Sequence, residues 1–505
     1  EGTIMTQNSF IEKGAIKTDY TLQISNVLKG VINNSTIQIR TLGGQVGSIK
    51  TEVCPSDEIE VGLKAKFLLN KKNDYFETSY LGQSVYNREF PKDEIMKDTF
   101  LSRNTQNTNL VINTISPSEI IIGNNDLLTI TGSGFGATGP TSATKVWVKT
   151  LDGASFYALQ DAFYYVSWSD TEIKVKIPSS NPSASFPGGT IIRLGGGPVR
   201  VGSSSSYVQS SNAYEVKGVV RDAVNLTVTN NNPITLPALS DGGIKFIPNT
   251  NFTNTTALNT INYAIDNWVC NTGIKMSMDN TQTTTAMNVQ NDGISSLFFD
   301  STMSSTVLGI ALVTTDACSS TGRRFIVDLD LAINPNANFN YTLNSSSSNE
   351  LDFYSVVLHE LGHVRNMLHV NNPNKVMHSS ITFGQHRRAL HQHEIETGLW
   401  IQNDSETIQT CNKPLMTAGT CLNLSNENFK SNELAFYPNP TQNIVTIDST
   451  FENIKVYNAI GQEVVTKTQQ SNNQTIVDLS PFTNGAYFIK IEKDAIEKTI
   501  KIIKQ

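Results

Sequence analysis

The stretch VVLHELGHVRNMLHV, Val356 to Val370, constrains the fold more than any other part of the chain. His359 and His363 are four residues apart, a spacing that stacks two side chains on one helix face. His369 follows six residues later. At about 100° and 1.5 Å per residue, six steps turn it roughly 240° around the axis and about 9 Å further along. A continuous helix therefore cannot aim all three imidazoles at one point. For them to share one metal ion, the helix must stop soon after His363 and the chain must double back. Doubling back needs a residue that tolerates positive φ, and after Gly the most willing is Asn. Asn366 stands where a helix-ending residue in the left-handed region would swing Met367, Leu368 and His369 back.

The remaining histidines reinforce this. All 7 lie between His359 and His393, the others being His378, His386 and His391. Such clustering points to metal or acid–base chemistry at one place. Neutral imidazole nitrogens suit zinc, and Glu360 lies where it can take a proton from a metal-bound water without being a ligand. His378 is a candidate pocket residue; His386, His391 and His393 are expected on a solvated helix or loop.

At 505 residues the chain is too long for one core. A net charge of −7 offers no basic footprint, which argues against nucleic acid as a partner. Charged residues make up only 16%, with Asn, Ser and Thr in their place, a texture that suits an extracellular β-rich protein. No apolar run reaches the roughly 18 residues a membrane span needs. The first residues, EGTIMTQNSF, lack a basic and an apolar region of the signal-peptide kind, so either the protein is not exported or a signal has been removed. Cys54 stands alone, while Cys270, Cys318, Cys411 and Cys421 fall in one later region and allow three pairings. Free buried thiols are the alternative. Cys54 could in principle reach a metal as a blocking thiolate, but its flanks EVCPSDE match no switch.

Four regions follow from composition. Residues 1–110 alternate or run apolar between glycine-rich breaks such as LGGQVG and predict a small β-sandwich or barrel. Residues 111–218 carry short β-branched runs between Gly and Pro turns. Residues 230–425 switch to α/β: IKFIP, VLGIALVTT and RRFIVDLDLAIN read as strands. ALNTINYAIDNWVCNTG reads as a helix with Leu258, Ile261, Ile265 and Trp268 on one face and Gly273 at its end. Ser347 and Glu350 have capping-box spacing and predict the start of the helix that carries His359. Residues 432–505 alternate again and predict a small sandwich.

Three resemblances build on these motifs. The pattern H-E-x-x-H-x-x-N-x-x-H resembles the metzincin signature, with Asn366 at its Gly position, and Met377 in NPNKVMHSS looks like the Met-turn of the matrixin branch. RRALHQHEIETGLW looks like the helix after that turn, and LGIALVTT like the substrate-facing edge strand. The resemblance implies a zinc endopeptidase in which His359, His363 and His369 bind Zn2+, Glu360 is the base, Met377 forms an apolar floor, and Gly309, Ile310, Ala311 and Leu312 pair with substrate. Departures are His378-Ser379-Ser380 where matrixins carry Pro and Tyr after the Met, and no Glu after His369, unlike astacins. Matrixins often hold a structural Ca2+ near this strand, for which Asp328 and Asp330 are the candidates; solvent exposure on one strand face is the simpler expectation. Pro117, Gly123, LLTITGSGFG, Trp168 and TEIKVKIP resemble the IPT/TIG immunoglobulin-like family. Gly132, Gly134 and Gly136 there precede no helix and no Lys-Ser/Thr, so a strand turn is expected and not a phosphate loop. Tyr437-Pro438-Asn439-Pro440, Gly461-Gln462, Asn484-Gly485, Tyr487 and the terminal KTIKIIKQ resemble the C-terminal sorting domain of the type IX secretion system of Bacteroidetes. That resemblance implies export across the outer membrane.

The expected molecule is thus multidomain: an α/β zincin-type catalytic domain flanked by all-β, immunoglobulin-like sandwich domains. Its expected partners are protein or peptide substrates and the type IX machinery. A surface adhesin with a silent metal site is the rival reading. Against it stand Glu360 and the absence of a fourth protein ligand in the pattern, which a structural zinc site would ordinarily have.

Overall fold

A computed structural model of the chain describes residues 1–54, 59, 61–78, 85–89, 95–97, 110–180, 193–225, 230–279, 281–285, 292–303, 307–344, 346–421, 436–447, 449–451, 453–459, 461–464, 467–471, 474–493 and 496–505. They fall into two compact units, residues 1–421 and 422–505. Among the described residues, no helix is long and apolar enough to cross a membrane.

The N-terminal strands of the first unit form one seven-stranded sheet around Ile4, Leu22, Ile37, Ile39 and Leu63. A second sheet, which the sandwich alternative needs, is not among the described strands; alternation sets which residues are buried and leaves sandwich and barrel open. One hairpin leaves this sheet. Its strands, Gly44–Val46 and β1 (Ile49–Cys54), pair with each other and join a sheet much later in the chain.

The described residues between 110 and 220 form two sheets. One holds Val111–Ser116, Leu127–Ser133, Tyr165–Trp168 and Glu172–Lys176; the other holds Glu119–Ile122, Lys145–Lys149, Ser155–Leu159, Gly197–Gly202 and the long β2 (Tyr207–Val220). Ile115, Ile130, Ile173 and Val175 from the first share one core with Val146, Val148, Leu159 and Val201 from the second. The glycine-rich stretch is a strand turn: the Gly136 amide donates to Asp170 at 2.9 Å.

The next sheet positions the site. Its order is β4 (Met276–Met278), β3 (Ile244–Pro248), β5 (Ser295–Phe299), β7 (Arg324–Ile333), β6 (Gly309–Ala317), then β1 and Gly44–Val46. The first four run parallel, while β6 is antiparallel to β7 and β1 antiparallel to β6. Helix α1 (Thr255–Thr272) is capped by the Asn254 side chain, which accepts from Ala257, and ends at Gly273 with φ 70°. Ile261, Ile265 and Trp268 are buried, and the Trp268 indole donates to the Leu358 carbonyl at 2.9 Å, tying α1 to α2 (Phe353–Val364). The apolar residues of α2 encircle it, and every residue except His359 is buried, which marks a helix threaded through a core.

The start of α2 departs from expectation. Ser347 and Glu350 do exchange hydrogen bonds, the Ser347 amide donating to Glu350 at 2.9 Å, but they close an exposed turn ahead of the helix. The N-cap is the fully buried Asp352, whose carboxylate accepts from the Ser355 amide at 3.1 Å and pairs with Arg388. A buried helix needs a cap whose charge is answered inside the protein, and spacing alone does not reveal Arg388, 36 residues on. After α2 come β8 (Met367–Leu368) and α3 (Gln392–Thr407). Disulfides join Cys270 to Cys421 and Cys318 to Cys411.

Among its described residues, the second unit has two four-stranded sheets whose core includes Val445, Val456, Val477, Ile489 and Ile502. Asn439 stitches its first turn to the final strand, donating to the Lys501 carbonyl at 3.0 Å and accepting from the Ile503 amide at 2.9 Å.

Candidate metal centre

Helix α2 places His359 and His363 one turn apart with their Nε2 atoms 3.0 Å from each other. The helix then ends abruptly. Asn366 has φ 71°, its amide donates to the His363 carbonyl at 3.0 Å, and the chain reverses into β8. Two features hold the reversal. First, β8 pairs with the end of β2, Leu368 opposite Val219 and Met367 opposite Val220. Second, the Asn366 side chain accepts from Arg221 Nη1 at 3.1 Å and donates to the Ile234 carbonyl at 2.6 Å. The turn brings His369 Nε2 to 3.0 Å from His363 Nε2 and 3.2 Å from His359 Nε2.

The opposite ring nitrogens fix the tautomers. His359 Nδ1 lies 2.6 Å from the Val376 carbonyl and His363 Nδ1 lies 2.9 Å from the Met367 carbonyl. A carbonyl only accepts, so each Nδ1 carries the proton and each Nε2 turns a lone pair toward the centre. Burial pushes the His359 pKa down to about 4, and burial followed by the neighbouring rings holds His363 well below the ordinary histidine value. Burial likewise lowers His369. The three Nε2 atoms meet at 3.0–3.2 Å, two of them with lone pairs turned to the centre, an arrangement that a cation among them would satisfy. A tetrahedral zinc bonded at about 2.0–2.1 Å separates its ligands by roughly 3.3 Å, so the donor set and its spacing fit zinc. Among the described residues this triad is the one group of three or more His, Cys, Asp or Glu side chains placed to hold a metal ion.

Glu360 is buried beside the triad, and its Oε2 has no hydrogen-bond partner in the protein. Burial pushes its carboxyl up to about 8, against a hydrogen bond from the Ala311 amide. It fits against β6 because residue 309 is glycine: a Cβ there would sit 2.9 Å from Glu360 Cγ. Met377 lies under α2, where a Cβ on Gly362 would come within 2.2 Å of its sulfur. The Met377 amide donates to Glu394 Oε1 at 2.7 Å, and the other oxygen of Glu394 accepts from the His391 amide at 2.9 Å, capping α3.

Other residues depart from expectation. The strand holding Gly309, Ile310, Ala311 and Leu312 is not a free edge, because β1 pairs along Ala311–Thr315. Asp328 and Asp330 are buried and not solvent-facing; Asp330 accepts from the amide and hydroxyl of Ser296, and calcium finds no support there. His391 does lie exposed, at the N-cap of α3, while His386 is half-buried in a loop and its Nε2 accepts from the Ser346 amide at 3.0 Å. His393 is not solvated: it packs at 3.0 Å from Lys375 Nζ, with Glu119 and Glu215 alongside. Lys375, itself fully buried, donates to the Val216 carbonyl at 2.8 Å and so ties the Met377 turn to β2. Arg221, Asp352, Lys375 and Glu394 were not singled out from sequence. The spacing His391-x-x-Glu394 carries a capping signal once His is admitted at the cap; Arg221 and Lys375 have none, since their partners are distant in sequence.

Comparison with known families gives two matches. Residues 248–399 match the family model described as Matrixin, and residues 435–505 match that described as Secretion system C-terminal sorting domain. The first match marks a metallopeptidase segment and implies zinc; the second marks the chain for export by the type IX system, to the cell surface or beyond. A search of curated proteins returns no match. Among solved structures, a structural genomics protein of unknown function from Bacteroides thetaiotaomicron VPI-5482 aligns at 16% identity and a TM-score of 0.16. That alignment covers 22% of this chain and spans 23% of the other. A biofilm associated protein, its BSP domain, aligns at 10% identity and a TM-score of 0.15, covering 99% of this chain and 82% of that one. Neither likeness bears on the fold.

Proposed function

We propose that the segment similar to matrixins makes this chain a secreted zinc endopeptidase, with His359, His363 and His369 as the zinc ligands and Glu360 as the general base. The observation that carries the reading is the meeting of three histidine Nε2 atoms beside one buried carboxyl group. When bound, zinc supplies Lewis acidity to the scissile carbonyl and to water. The chain's own residues do the rest. The Val376 and Met367 carbonyls orient two rings through their Nδ1 protons. Glu360, buried beside the triad and accepting from the Ala311 amide, takes the proton of the attacking water and passes it to the departing amine. Met377, held by Glu394, is the apolar floor that keeps α2 and the turn in register. The substrate adds as a strand along β6, where backbone groups give affinity without demanding a sequence.

The same reading assigns residues 1–110 and 111–218 as accessory β modules, the second of the IPT/TIG kind, residues 230–425 as the catalytic domain, and residues 432–505 as the sorting domain. Glu360→Ala tests the mechanism. Compared in a chain that cleaves casein, the variant is expected to keep its zinc and lose that cleavage; undiminished cleavage would remove Glu360 from the chemistry. A zinc chelator that leaves casein cleavage intact would favour the adhesin reading for the site itself.

A further inference from the structure

The strand that a substrate should join is already paired. β1 lies antiparallel on β6, with Lys50 opposite Thr315, Thr51 opposite Thr314, Glu52 opposite Val313, Val53 opposite Leu312 and Cys54 opposite Ala311. Ala311 is also the residue whose amide reaches Glu360. The ladder therefore runs up to the position that touches the candidate base.

Side chains anchor β1 on both faces. Thr51 Oγ1 is 3.0 Å from Thr314 Oγ1, and Val53 packs with Phe298, Ile310 and Leu312. On the other face Glu52 accepts from Arg221 Nε at 2.8 Å and from Lys50 Nζ at 2.7 Å. Burial opposes the Glu52 charge, yet Lys50 and Arg221 hold its pKa well below the usual carboxylate range. Arg221 is the residue that also holds Asn366 in the metal-site turn. One buried guanidinium thus joins β1 to the reversal that delivers His369.

We propose that β1 is a built-in inhibitory strand: it fills the substrate's place on β6, is latched there by Glu52 on Arg221, and must leave before a polypeptide can be cleaved. The proposal rests on the peptidase reading above. A sheet edge offers one row of amides and carbonyls and accepts one strand at a time. The attachment is also suited to release. Its backbone ladder on β6 is five residue pairs long, whereas the sheet from which the hairpin departs keeps a separate core of Ile4, Leu22, Ile37, Ile39 and Leu63. The hairpin can therefore lift, by a cut or by displacement, without unfolding that sheet.

The test uses the full chain in three forms, with zinc content, labelled-casein cleavage and hydrogen exchange at residues 311–315 measured on each. Glu52→Gln/Val53→Asp removes the latch and the apolar anchor. It is expected to raise exchange at β6 and to cleave at least about tenfold faster than the parent chain. Adding Thr51→Cys/Thr314→Cys and oxidising it re-fastens the strand across the 3.0 Å contact. Cleavage should return to the parent rate or below and recover on mild reduction that leaves the parent's own rate unchanged. Equal cleavage by the oxidised and reduced forms, both carrying zinc, would overturn the inhibitory strand and leave the peptidase reading standing. No cleavage by any form, with zinc bound and exchange showing β6 open, would overturn both.

Discussion

Asn366 concentrates the chemistry of the chain's most informative stretch into one residue. Its backbone sits at φ 71°, a region an L-residue with an ordinary side chain enters at a cost of about 1–2 kcal/mol. Gly would enter it more freely, but Gly could not accept from Arg221 or donate to the Ile234 carbonyl. The residue is therefore both hinge and clasp. Asn366→Ala should lose roughly 2–4 kcal/mol, from strain plus hydrogen bonds to a buried cation. Asn366→Gly should lose less, because only the second part applies. Chemical denaturation of both variants checks the order; an Ala variant as stable as the Gly variant would show that conformation at 366 is not the constraint. The need for a break was legible in sequence because six residues cannot close a metal triad on a helix. The role of the side chain was not, since both its partners lie more than 130 positions upstream.

Helix α2 starts later than the spacing of Ser347 and Glu350 predicts. Ser347 and Glu350 carry the spacing of a cap and do make a reciprocal turn, but in solvent. Asp352, buried and paired with Arg388, is the group that closes the helix N-terminus. Asp352→Ala should cost about 3–5 kcal/mol, because it uncaps a core helix and strands a partly buried guanidinium. Glu350→Ala should cost less than about 1 kcal/mol, as an exposed turn does. Equal losses in thermal melts would return the cap to Ser347 and Glu350. Strands β3, β6 and β7 were readable from their apolar runs, and α1 from the helical spacing of Ile261, Ile265 and Trp268. The neighbour of β6 was not, since IKTEVC reads as an ordinary strand and its partner lies more than 250 positions away.

At the scale of the whole chain, the site is built by more than the segment that carries its motif. The triad's last turn pairs with β2, the Met377 turn is tied to β2 through Lys375, and β6 pairs with a strand from the N-terminal sheet. A chain beginning at residue 230 should thus bind zinc poorly or fail to fold, while residues 1–421, one compact unit with both disulfides, should bind it fully. Zinc titration of the two fragments distinguishes them, and tight binding by the shorter one would make β2 dispensable. Export is marked at the other end, by the sorting domain. The central claim remains that three histidines and Glu360 form a working peptidase centre. Its most direct test is zinc content and casein cleavage measured together on the Glu52→Gln/Val53→Asp chain with and without Glu360→Ala. The prediction is one zinc per chain in both and a loss of cleavage of at least about a hundredfold with Glu360→Ala. Cleavage that survives Glu360→Ala, or that proceeds equally in chains stripped of zinc, would contradict it.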